Sequence, residues 1–132
     1  MAVIEGYKDL HVYNKAFLLA MKIFEISKGF PKEERYSLTD QIRRSSRSVT
    51  ANIAEAWGKR IYIKSFISKL SDSFAEEQET EVWIRYSKSC NYIDNMAYTE
   101  LMSLSGEVRR MLISMIDEPE KFIKNNKYVN GK

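Results

Sequence analysis

From Tyr36 to Arg60 the chain reads YSLTDQIRRSSRSVTANIAEAWGKR, with no proline and a single glycine near its end. Leu38, Ile42, Val49, Ile53 and Ala56 recur at intervals of three, four and seven residues. In a helix of about 3.6 residues per turn such positions share one face, so the stretch predicts an amphipathic helix with that face buried. Gln41, Arg43, Arg44, Ser45, Ser48, Asn52 and Glu55 crowd around it, more polar groups than a plain core helix carries. Any that are buried must be paired, because an unsatisfied buried donor or acceptor costs about 1–3 kcal/mol.

The rest of the chain repeats the pattern three times. Asp9 is the expected N-cap of a first helix carrying Leu10, Tyr13, Phe17, Ala20 and Phe24, closed by Gly29 and Phe30-Pro31. Ser37 or a neighbour is expected to cap the second helix, and Gly58 to end it in a left-handed conformation. A third helix is expected from Ile61 to about Cys90, striped by Ile63, Phe66, Ile67, Leu70, Phe74, Val82 and Ile84. The acidic run Glu76-Glu77-Gln78-Glu79-Thr80-Glu81 interrupts that stripe. Asn91 is expected to end this helix and Asp94 to cap a fourth, with Ala97, Leu101, Leu104, Val108, Met111, Leu112 and Met115 on one face and Pro119 beyond its end. Four such helices with short connections predict an all-α, antiparallel up-and-down four-helix bundle. Its expected limits are residues 9–118, with an arm at 1–8 and a polar tail at 119–132.

Composition narrows the function classes. Of 132 residues, 44% are hydrophobic and 30% charged, which suits one packed domain and not a disordered chain. No run of eighteen apolar residues occurs, and the start MAVIEGYKDL is too polar for a signal peptide, so cytoplasmic residence is expected. His11 is the single histidine and Cys90 the single cysteine, so the chain lacks a Cys/His zinc set and a disulfide framework. The Glu-x-x-His pairs of a di-iron bundle are absent, as is a glycine-rich phosphate loop. No catalytic residue, metal ligand or cofactor is assigned, and the chain is expected not to be an enzyme.

Several separated segments resemble one family. They are YKDLHVY at Tyr7–Tyr13, Phe30-Pro31, Tyr36, Leu38, QIRRSSRSVTANIAEAWGKR, and FISKLSDSFAEEQETEVW in the third helix. Together they resemble the four-helix-bundle proteins encoded in intervening sequences of bacterial 23S ribosomal RNA genes. Tyr13 stands where the family pattern has tryptophan, and Ala56 where it has glycine. The resemblance implies a homopentamer. It also implies kinship with accessory proteins of diversity-generating reverse transcriptases, which bind nucleic acid; a reverse transcriptase is thus one expected kind of partner protein.

The charges divide along the chain. Between Arg35 and Lys69 eight cationic residues face only Asp40 and Glu55, a local charge of +6, within a formal net charge of +3. From Leu70 to Glu100 seven acidic residues face Arg85 and Lys88. Two readings follow for the arginines. In one, Arg43 or Arg44 pairs with Glu76, Glu77 or Glu79 of the third helix, as part of a structural polar network of Gln41, Arg43, Arg44, Ser48, Asn52, Glu55, Ser73, Glu76 and Glu79. In the other, cationic side chains track phosphates, with Arg47, Lys59, Arg60 and Lys64 as the expected contacts to structured RNA or DNA. Repetition around a homo-oligomer would multiply such contacts. The alternative function is a protein–protein scaffold with no nucleic-acid role. Trp57 and Trp83 are expected either in the core or at a subunit interface.

Overall fold

The computed structural model describes residues 3–123. Four long helices account for most of them: α1 His11–Ser27, α2 Leu38–Gly58, α3 Ile63–Ser89 and α4 Asn95–Asp117. A single turn, α5 Glu120–Ile123, follows, and short 3-10 turns cover Tyr7–Asp9 and Lys32–Glu34. No strand occurs among the described residues. Each long helix packs on its two neighbours, α1 on α2, α2 on α3, α3 on α4 and α4 back on α1. The expected four-helix bundle is the architecture observed. Its antiparallel sense shows in two ion pairs, Lys15–Glu107 and Lys22–Glu100, both 3.0 Å, which advance seven residues along α1 while retreating seven along α4.

The helix ends follow local chemistry, with three departures from expectation. Asp94 caps α4 by accepting from the Ala97 amide at 2.8 Å. Asn91 takes a left-handed φ of 63°, and the Tyr92 and Asn91 amides bond back to the Ser87 and Lys88 carbonyls, closing α3 in a Schellman motif. Gly58 does not play that part: no described glycine has positive φ, and α2 continues through it to Lys59. Asp9 does not cap α1. Its carboxylate accepts from the Glu5 and Gly6 amides of the preceding turn, and Leu10 begins the helix. At the start of α2 the capping acceptor is Glu34, which takes the Leu38 amide at 3.2 Å and the Ser37 hydroxyl at 2.6 Å. Tyr92 donates its hydroxyl to the other Glu34 oxygen at 2.8 Å, joining the α1–α2 and α3–α4 connections. That bond raises the Tyr92 pKa to about 12, while Ser37 and then Tyr92 hold Glu34 below the usual carboxylate range.

Two apolar cores fill the bundle. One gathers Val12, Ala16, Val49, Ile53, Ala56, Trp57, Phe66, Leu70, Val108 and Leu112; the other gathers Leu19, Ile23, Leu38, Ile42, Ile84, Leu101 and Leu104. Ala56 is wholly buried, so its methyl fits within the first core. Between the two cores lies a belt of buried polar side chains: Ser45 and Ser46 from α2, Ser73, Glu77 and Thr80 from α3, and Ser105 from α4. The expected tail begins with α5, whose Ile123 is buried in the first core; residues 124–132 lie outside the described residues.

Candidate functional site

Residues 43 and 44 lie about 100° apart around a helix axis, and that angle sends the two arginines to different neighbours. Arg44 faces α3, with Nη2 2.5 Å from Glu79 Oε2 and 3.3 Å from Glu76 Oε1. It also donates from Nε to Gln41 at 3.3 Å. The hydrogen bonds to Glu79 and then Glu76 raise its pKa further. Glu79 is itself fixed by Trp83, whose indole N–H donates to it at 3.1 Å. Arg43 turns to α1 instead. Its Nε donates to Ser27 Oγ at 2.8 Å, and its guanidinium lies 4.9 Å from the centre of the Phe24 ring. Arg47, one turn on, lies 5.5 Å from the same ring.

The remaining expected network residues separate into two kinds. Ser73 crosses between helices, donating to the Val49 carbonyl at 2.8 Å. Glu55 pairs across the surface with Lys69 at 3.0 Å. Ser48 and Asn52, by contrast, bond within α2, to the Arg44 and Ser48 carbonyls, both at 2.9 Å.

The four residues expected to touch phosphates are spread along α2 and its turn into α3. Lys59 and Lys64 are exposed, on either side of exposed Ile61, Tyr62 and Ile63. Arg60 is held in place: its guanidinium sits 4.2 Å from the Trp57 ring centre and donates to the Trp57 carbonyl at 2.9 Å. Trp57 is itself buried in the first core, so α2's packing fixes where Arg60 points. Arg47 stands three helical turns away from this group. Among the described residues, Arg35, Arg43, Arg47, Lys59, Arg60 and Lys64 make no ion pair, whereas Arg44 and Lys69 do.

Arg35, Arg43, Arg44 and Arg47 line a shallow depression of about 540 Å³ on the outer side of α2, together with Thr39, Asp40, Ser48 and Ala51. Thr39 is only 8% exposed, and its hydroxyl has no hydrogen-bond partner among the described residues. The sequence does not single out Thr39, and Arg35 enters there only as one of the eight cations of its segment. Arginine recurrence at 35, 43 and 47 was the available signal.

Two glutamates of the acidic run turn away from the α2 arginines and toward α4, inside the bundle, which was not expected from the sequence. Glu77 is fully buried and accepts hydrogen bonds from Ser105 of α4 and, at 2.9 Å, from Gln78. Glu81 accepts from Arg109 at 2.6 Å and from Ser105 at 3.3 Å. Burial, and then the neighbouring Glu81 carboxyl, push Glu77 up to about 7. Burial pushes Glu81 upward as well, but its bonds with Glu77 and Arg109 outweigh that and bring it below the ordinary range. Of the two carboxyls, Glu77 is thus the one whose surroundings favour the protonated form. Spacing held the clue: Phe66, Leu70, Ser73, Glu77, Thr80 and Ile84 alternate by four and three residues along the buried stripe. Among the described residues no three His, Cys, Asp or Glu side chains gather as a metal site. No helix among the described residues is long and apolar enough to cross a membrane.

The family model for the 23S rRNA-intervening sequence protein matches residues 8–114. The chain belongs to that family. The match takes in all four long helices except the last residues of α4. Among solved structures, the chain is similar to a Bacteroides thetaiotaomicron VPI-5482 protein of unknown function from the S23 ribosomal protein family. The two are 32% identical, with a TM-score of 0.73 over 80% of this chain and 95% of that one. Among curated proteins, none matches the chain.

Proposed function

We propose that this family member is a non-enzymatic homo-oligomer that binds structured RNA or DNA through phosphate contacts along α2 and its turn into α3. The observation that carries the reading is the division of the cations. Glu76, Glu79 and Glu55 take up Arg44 and Lys69, which leaves Arg47, Lys59, Arg60 and Lys64 without ion pairs among the described residues. Cations that lack internal partners are free to replace the counterions of a nucleic-acid backbone. The resemblance to the family implies a pentamer, and five copies of one patch turn weak single contacts into a usable affinity.

Titration of a labelled structured RNA at low and moderate salt tests this, alongside light scattering for the mass. Binding should weaken steeply with salt and depend little on sequence. The combined change Lys59→Gln, Arg60→Gln and Lys64→Gln should weaken it and flatten its salt dependence while the assembled mass stays near five chains. Equal affinity in the triple variant would move the contact elsewhere. Absence of binding at low salt would transfer the reading to a protein scaffold, and a monomeric mass would remove the multivalency.

A further inference from the structure

We propose that the depression at the beginning of α2 is a binding site for one phosphate group, held by Thr39, Arg43 and Arg47 with Arg35 at its edge. The site shares Arg47 with the reading above but goes beyond it, because it takes a discrete phosphate whether or not the chain binds RNA. It begins about 18 Å or more along the helix from Lys59.

Thr39, Arg43 and Arg47 are spaced four residues apart, so they form one stripe on α2. Phe24 of α1 forms a floor beneath both guanidiniums, 4.9 and 5.5 Å from its ring centre. Two like charges one turn apart repel each other. Here neither has a carboxylate in an ion pair among the described residues, so an external anion between them would relieve the repulsion.

The Thr39 hydroxyl supplies an independent observation. A helical threonine commonly donates to a carbonyl one turn back, as Thr50 does to Arg47 at 2.6 Å and Thr80 to Glu76 at 2.8 Å. Thr39 makes no such bond although it is more than nine-tenths buried, and it lines the depression. A buried hydroxyl without a partner is costly, and a phosphate oxygen is an acceptor that would satisfy it. Thr39 also lies in the first turn of a 21-residue helix, where the dipole favours negative charge.

Charge sets the ligand class. Four arginines line the depression; Arg44 is taken up by Glu76 and Glu79, and Arg35, Arg43 and Arg47 oppose one lining carboxylate, Asp40. The remaining two positive charges match a phosphate monoester dianion, which carries roughly −1.5 to −2 near neutral pH. Guanidinium forks suit tetrahedral phosphate oxygens better than a point cation does.

The experiment is a thermal-shift titration of the full chain with inorganic phosphate against chloride at matched ionic strength. The wild type should be stabilised by phosphate, with affinity lowered roughly tenfold or more in Thr39→Val and in Arg43→Met. Thr39→Val should keep or raise the phosphate-free melting temperature, since it deletes an unsatisfied hydroxyl, and this separates ligand loss from misfolding. No stabilisation of the wild type, or equal stabilisation of wild type and Thr39→Val, overturns the site. Two oligonucleotides of one sequence, with a 5′-phosphate or a 5′-hydroxyl, identify the source. Preference for the 5′-phosphate assigns a terminal phosphate, and equal binding competed by free phosphate assigns a backbone diester. Stabilisation by phosphate with neither oligonucleotide bound keeps this site as one for small phosphorylated molecules and defeats the nucleic-acid reading alone.

Discussion

The Ser105 hydroxyl of α4 donates to the Glu77 carboxyl of α3 inside the polar belt that separates the two apolar cores. Glu77 also lies against Glu81, which Arg109 holds from α4. Helices α3 and α4 are thus joined at mid-length by a carboxyl pair whose charge depends on pH.

Folding stability should therefore fall as the solution passes from mildly acid to neutral. Glu77 has a folded pKa raised to about 7 from 4.5, so its contribution is fully present below the lower value and is lost as pH rises through the upper one. At about 1.36 kcal/mol per unit the change is roughly 3 kcal/mol. Glu81 is shifted downward, so its own loss comes at more acid pH and leaves this window to Glu77. Melting temperatures between about pH 5 and pH 8 should decline in the wild type and stay nearly level in Glu77→Gln. A parallel decline in both proteins would show that Glu77 is not the titrating group.

Ser105→Ala removes the donor that favours the charged form of Glu77. The expected destabilisation is about 1–3 kcal/mol near neutral pH and smaller in acid, where Glu77 is protonated. Denaturant melts at the two pH values check the difference. A uniform loss at both would reduce Ser105 to a packing role.

Arg44→Met should cost about 1 kcal/mol or less. Had the pair been fully buried, roughly 3–5 kcal/mol would be expected, but the Arg44 side chain is 43% exposed and solvent screens it. The change should also free Glu79 and so alter the surroundings of the Trp83 indole, which tryptophan emission would report.

Arg60→Gln should lower stability as well as charge, because it removes a guanidinium stacked on Trp57 and its bond to the Trp57 carbonyl. About 0.5–1 kcal/mol is expected for the stacking at a partly open site. Lys59→Gln with Lys64→Gln should leave the folding stability within ~0.5 kcal/mol of wild type, since both side chains are exposed. Comparing RNA affinities of the double and triple variants then separates lost charge from lost structure.

The four helices were legible because each carries its own spacing, and Asp94, Asn91 and Pro119 act through neighbours only a few residues away. Capping was less legible where the acceptor came from a loop, as with Glu34 at the Leu38 amide. Gly58 could have ended its helix in the left-handed region but does not, since glycine permits that conformation without requiring it. For the candidate site, spacing put Arg43 and Arg47 on one stripe and Arg44 beside it. It could not supply Phe24 as their floor or leave the Thr39 hydroxyl alone, because both depend on where α1 lies against α2. Glu77 lay on a readable stripe, yet its partner Ser105 follows from the axial offset of two helices, which periodicity leaves open.

The polar belt has a consequence for alignment. Sliding one helix by a turn moves its side chains about 5.4 Å, far enough to break any of these bonds. Ser73 to Val49, Thr80 to Ser45 and Ser105 to Glu77 therefore act as keys that admit one setting of α2, α3 and α4. None of these keys belongs to α1. That helix is located by apolar packing, by two surface ion pairs and, near its C-terminus, by Ser27 against Arg43. Its N-terminal half is thus the stave of the barrel whose depth rests on the fit of Val12, Ala16 and Leu19 and on one surface ion pair, with no buried polar key of its own.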